Sequence, residues 1–154
     1  MSDRANFQLD MADFDTRIAD IGKEKIPRIA KLACVEAAWA LKKDADEIAP
    51  KTPHLHGNLR GDGRRGVKAK GKSVINPEWF PKISEEENSL HRISVLVTYC
   101  APYAAKWHET TDDINWSEAD DGVGPKYLDA KMAREDLRDK YFKLIADRIK
   151  NGAE

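Results

Sequence analysis

From Arg28 to Ala49 the chain runs twenty-two residues without a glycine or proline, and Pro27 and Pro50 bracket the run. Ile26, just before it, and Ala30, Ala33, Ala37, Leu41 and Ile48 within it recur at spacings of three, four and seven. That periodicity predicts one helix from Ile26 or Pro27 to about Ile48, with proline suited to its first turn and excluded from its interior. Leu32, Val35 and Trp39 widen the apolar stripe, so the helix is expected to face a core or a partner subunit on more than one side. Trp39 is expected in the core.

The remaining elements arrange themselves around this helix. Upstream, Phe7 to Leu9 suits a short strand or an arm. Phe14, Ile18 and Ile21 continue a helical pattern that Asp13 or Asp15 can cap, up to a break between Gly22 and Pro27. Downstream, residues 50–72 hold two prolines and five glycines and read as loop. Ser73 to Asn76 is expected as a short strand, Pro77 to Pro81 as a turn, and Glu85 to Glu87 as a solvated loop. Arg92 to Tyr99 is the strongest strand signal, with Ile93, Val95, Val97 and Tyr99 sharing one face. Tyr103 to His108 suits one helical turn, with Trp107 packed in the core. Pro125 to Lys150 is expected as a single last helix carrying Tyr127, Leu128, Met132, Tyr141, Leu144, Ile145 and Ile149. The order predicts a single α+β domain over residues 1–154, with a long N-terminal helical segment, a small antiparallel sheet, a C-terminal helix and long charged loops.

Charge is segregated in a chain of net charge −1. The loop 60–72 holds Arg60, Arg64, Arg65, Lys68, Lys70 and Lys72 against one acid, Asp62. The loop 109–121 holds Glu109, Asp112, Asp113, Glu118, Asp120 and Asp121 with no base. Opposite charges on different surfaces of identical subunits suit head-to-tail contacts in a ring. The basic loop is therefore expected against an acidic neighbour, with Arg60, Arg64, Arg65, Lys68, Lys70 and Lys72 on one side. Asp112, Asp113, Trp116 and Asp120 are expected on the other. Trp79 and Trp116 lie in loops, where burial in their own subunit competes with anchoring a partner.

Signals for catalysis are weak. No Gly-x-Ser-x-Gly elbow is present, and Gly61 to Gly66 lacks the Lys-Ser/Thr ending of a phosphate loop. His54, His56 and the pair His108-Glu109 have no third ligand at a zinc-site spacing. The sequence reading is therefore a non-enzyme with no catalytic, cofactor-binding or metal residues. Cys34 and Cys100 are expected as buried, reduced thiols. The first residues, MSDRANFQLDMADF, lack the apolar core of a signal peptide, and no apolar run approaches a membrane span, which predicts synthesis in the cytoplasm and no membrane partner.

Three further segments share an order and spacing. APKTPHLHGNLR, residues 49–60, follows the long helix. YCAPYAAKWHET, residues 99–110, follows the main strand. GPKYLDAKM, residues 124–132, opens the last helical region. Together they resemble tailed-bacteriophage neck and tail-completion proteins of the minor-capsid type, whose elements read A-P-x-x-T-G-x-L-R, Y-A-x-Y-x-E-x-G-T and P-K-F/Y-L-x-x-A-L/M. Pro50 or Pro53, Gly57, Leu59 and Arg60 match the first, with His56 where the family has threonine. Tyr99, Ala101, Pro102, Tyr103 and Thr110 match the second, with Trp107-His108-Glu109 in place of an aromatic–glycine pair.

The resemblance implies a virion protein that forms a homo-oligomeric ring of six or twelve copies at the head–tail junction. Its implied partners are portal or head-completion proteins on one side and a tail terminator or tail tube protein on the other. Viral DNA would pass through the channel without sequence-specific contact. A tail terminator is the neighbouring alternative. A nucleic-acid-binding protein acting through the basic loop is an alternative of another class.

Overall fold

Alanine is the best helix former and the smallest side chain that still buries apolar surface, and both properties shape helix α1, Lys25–Glu47. The computed structural model describes residues 5–10, 25–54, 57–62, 75–86, 92–110, 116 and 120–153. Pro27 lies in the first turn of α1 as expected. The Ile48 N–H still donates to the Asp44 carbonyl at 2.9 Å before Pro50 ends the helix. Ile26, Ala30, Ala33, Cys34, Ala37, Ala38, Leu41 and Ala45 are all buried. Their small side chains let α1 approach both the sheet and the C-terminal helix closely. Trp39, expected in the core, instead stands 51% exposed, and Leu32 46%. At 100° per residue both point away from the Ala37–Leu41 stripe, so the residues that widen the stripe on that side stand exposed.

The sheet has three antiparallel strands: β1, Ala5–Asp10; β2, Lys82–Glu85; and β3, Ser94–Tyr99. Their spatial order is β1-β3-β2, with Ala5 opposite Tyr99 and Lys82 opposite Thr98. Central β3 buries Val95, Val97 and Tyr99 toward α1, following the period-two pattern. Strand β2 occupies a position expected to run from turn into solvated loop. Only Ile83 of β2 is half-buried, and an edge strand of Lys-Ile-Ser-Glu carries no apolar alternation to betray it. Its Glu85 pairs with Lys31 of α1. The expected strand at 73–76 is not seen at Ile75–Asn76. Asn76 caps a 3₁₀ turn, Pro77–Trp79, by accepting the Glu78 N–H at 3.0 Å. Ser73 and Val74 lie outside the described residues, as do Phe14, Ile18 and Ile21.

After β3 comes helix α2, Ala104–Glu109, then α3, Asp129–Ala133, and α4, Glu135–Ala153. The single helix expected from Pro125 is thus two. Arg134 separates them with extended φ −81° and ψ 118°. Its carbonyl accepts the Arg138 N–H at 3.0 Å, and its guanidinium clasps Asp136 at 3.1 and 2.6 Å, so the residue opens α4 rather than continuing α3. The break lets Leu128 and Lys131 turn inward while α4 lies along α1. Gly152 makes that last contact possible, since a Cβ there would meet Ile29 Cγ2 at 2.9 Å.

Polar ties fix the helix pairing. Asp44, buried on α1, accepts Tyr141 Oη at 2.9 Å and Lys140 Nζ at 2.7 and 2.9 Å. Asp44→Ala leaves the Tyr141 hydroxyl without its acceptor and is expected to cost about 1–3 kcal/mol, read from the urea midpoint.

Lys131 is fully buried, and its Nζ donates to the Pro50 carbonyl at 2.7 Å. Burial pushes this ammonium down to about 8, with the Arg134 charge acting in the same direction. Between pH 8 and the ordinary lysine range near 10.5 the unfolded chain therefore holds more protons at this position than the folded one, and stability contributed by this group rises with pH. Lys131→Met is expected to stabilise the fold by about 1–2 kcal/mol below pH 8, after about 1 kcal/mol is lost at the Pro50 carbonyl. It should also flatten the rise from pH 8 to 10, measured by denaturation across that range.

Candidate assembly surface

The segment after α1 must leave a helix end and carry a charged loop, so its own backbone groups need partners. Thr52 supplies the first. Its N–H donates to the Ala45 carbonyl at 2.7 Å, its Oγ1 reaches the same carbonyl at 3.1 Å, and Oγ1 lies 3.4 Å from Tyr99 Oη. Arg60 turns back on this segment, with Nε donating to the Thr52 carbonyl at 3.0 Å. Lys42 donates to the Arg60 carbonyl and pairs with Asp46 at 2.6 Å. Burial holds the Asp46 carboxyl above the usual carboxylate range, and Lys42 acts against that rise.

The two ends of the basic loop are joined. Asn58 is buried; its Oδ1 accepts the Asn76 N–H at 3.0 Å and its Nδ2 reaches Tyr103 Oη at 3.4 Å. The outgoing and returning strands of the loop therefore share one side chain. Gly61 finishes the outgoing side with φ +72°, a region that favours glycine, and a Cβ there would strike Pro81 Cδ at 2.9 Å. His54 Nε2 lies 3.2 Å from Asp62 beside this stem.

The acidic loop is rooted on the same segment. Lys51 pairs with Val123 in a parallel bridge, its N–H donating to the Gly122 carbonyl at 2.7 Å. Gly124 N–H returns to the Lys51 carbonyl at 3.3 Å. At the other end the Thr110 N–H closes α2 on the Lys106 carbonyl at 2.9 Å. Inside the loop, Trp116 is half-buried edge-on to Trp107, with ring centroids 5.5 Å apart. Trp79 likewise sits edge-on to Tyr103 at 6.0 Å. Both loop tryptophans thus contact their own subunit.

The expected contact residues fall into two groups. Arg60 is half-buried and bonded within the chain, Trp116 packs on Trp107, and the Asp120 carbonyl accepts the Val123 N–H at 3.2 Å. Arg64, Arg65, Lys68, Lys70, Lys72, Asp112 and Asp113 lie outside the described residues. The stem residues Thr52 and Asn58 escaped the sequence reading because their partners are Tyr99, Asn76 and Tyr103, far along the chain. Lys42 and Asp46 left one local signal, their i,i+4 spacing on a helix. Both cysteines are free; Cys34 is buried as expected, whereas Cys100, just past the end of β3, is only half-buried. Burial pushes the Cys34 thiol up to about 11, which keeps it protonated and unreactive. No helix among the described residues is long and apolar enough to cross a membrane.

Arg60→Ala removes the contact that folds the stem back on Thr52. Stability is expected to fall by about 1–2 kcal/mol, and the Gly61 amide, bonded to the Gly57 carbonyl at 3.0 Å, should exchange faster while α1 amides keep their protection. Unchanged Gly61 exchange would mean that Arg60 does not hold the stem.

Comparison of the chain with protein-family models, with curated proteins and with solved structures finds no match.

Proposed function

We propose that this protein is a structural subunit of a tailed-bacteriophage virion that assembles into a ring at the head–tail junction. The observation that carries the reading is the meeting of the three resembling segments in space. Thr52 of the first lies 3.4 Å from Tyr99 of the second. The Tyr99 ring packs edge-on to Tyr127 of the third at 5.3 Å. Lys131 of the third returns to Pro50 of the first at 2.7 Å. Segments that share an order in sequence thus also share one packed centre, as parts of one fold signature would. The two oppositely charged loops supply the assembly logic. Each springs from a pinned stem on the Lys51–Arg60 segment, so a neighbour can be reached without disturbing the core. The work of such a subunit is mechanical, joining head-side and tail-side rings around a DNA channel.

Cryo-electron microscopy of virions carrying this chain tests the reading. The expected result is a ring of six or twelve copies between portal and tail tube, with residues 60–72 touching another chain. Absence of the chain from the virion would overturn the proposal, and salt-sensitive binding of the free protein to DNA would then favour the nucleic-acid reading.

A further inference from the structure

His108 lies at the last turn of α2, only 5% exposed, with its ring edge-on to Tyr127 at 4.7 Å. Its Nδ1 lies 2.8 Å from Glu109 Oε1. The Glu109 carboxylate is also ion-paired with the Lys126 ammonium, so it stands beside the ring as an acceptor. The ring proton is therefore placed on Nδ1, and in the neutral ring Nε2 is a bare lone pair. That atom is buried and has no hydrogen-bond partner. It faces Asp129 Oδ1 across 4.0 Å. A lone pair and a carboxylate oxygen at this distance repel, and 4.0 Å is too long for a direct N–H···O bond.

A metal ion suits the gap. Zinc sits about 2.0–2.1 Å from imidazole nitrogen and about 2.0–2.2 Å from carboxylate oxygen. Those two bonds span roughly 3.4 Å at a tetrahedral angle and about 4.1 Å in line. The exposed Asp129 side chain can close the difference. Glu109 then has the role that carboxylates commonly take behind metal-bound histidines, receiving the other ring N–H and orienting the imidazole. Lys126 touches the far oxygens, pairing with Glu109 and lying 3.7 Å from Asp129 Oδ2, which leaves Oδ1 directed inward. His108, Glu109 and Asp129 are also the one group of three such residues among the described residues that each bring a ligand atom within 4.8 Å of the others.

We propose that His108 Nε2 and Asp129 Oδ1 bind a divalent transition-metal ion of zinc's chemistry, with Glu109 orienting the histidine and water completing the coordination. The ion bridges the end of α2 to the start of α3. The acidic loop departs from the end of α2, so metal binding ties the starting end of that loop to α3. The inference rests on the geometry of these side chains and is independent of the ring assignment.

Calorimetric titration of the full-length, metal-free protein with zinc chloride at neutral pH is the test. The expected result is one zinc per chain at this site. Asp129→Asn changes only an exposed side chain and should weaken zinc binding at least tenfold with an unchanged circular dichroism spectrum. His54→Ala, at the second histidine–carboxylate pair, should leave the affinity within twofold. Lys126→Met removes the competing cation and should tighten binding. Absence of zinc binding to the wild-type chain would overturn the proposal. So would binding that survives Asp129→Asn unchanged, or binding that disappears in His54→Ala.

Discussion

Tyr99 is the point on which the rest of the structure depends. It ends the central strand, is fully buried, and meets Thr52 through its hydroxyl and Tyr127 through its ring. Burial pushes its phenol well above the ordinary range, so it remains a neutral hydroxyl that can share a hydrogen bond with Thr52. One side chain thereby locks three parts of the chain that are far apart in sequence. The post-helical segment is held from below, and the approach to α3 is held from the side. Both charged loops take their starting geometry from these two held segments.

The same arrangement separates a rigid base from the segments that carry charge. Asn58 joins the two ends of the basic loop, and Lys51 pairs with the exit of the acidic one. Thr52, Asn58 and Lys51 make their bonds within the subunit, so these stems can support contacts without being the contacts themselves. Arg60 illustrates the difference. Sequence reading groups it with five other bases as one electrostatic surface. Its guanidinium instead braces the stem through Thr52, which makes it a support for the loop that begins with it.

The uncovered side of α1 adds a second kind of surface. Leu32 and Trp39 are i−4 and i+3 from Glu36, which pairs with Arg148 of α4 at 3.4 Å. Leu144, one turn before Arg148, is exposed as well. An apolar ridge beside a surface ion pair contributes little to folding, because neither Trp39 nor Leu32 is fully withdrawn from water. The expectation that α1 faces more than its own core follows from the same residues; among the described residues it is the alanine-rich side that is buried.

Several features were legible in the sequence because they follow from local rules. The uninterrupted run from Arg28 to Ala49 and its alanine spacing specify α1 and its buried stripe. Alternation specifies β3, proline and glycine mark the loops, and the pattern of elements specifies an α+β domain. Strand β2 was not legible because an edge strand need not alternate. The break at Arg134 was not legible because it serves the different directions of Lys131 and α4, set by distant partners. Trp39 shows that aromatic character alone does not decide burial; the angle around the helix does. The candidate metal site shows the same limit most clearly. His108 and Glu109 are adjacent in sequence, but Asp129 joins them through tertiary contacts such as the Lys126 N–H bond to the His108 carbonyl at 2.8 Å. Local propensity and periodicity determine which elements form, whereas convergence of side chains from separate elements is decided by tertiary packing.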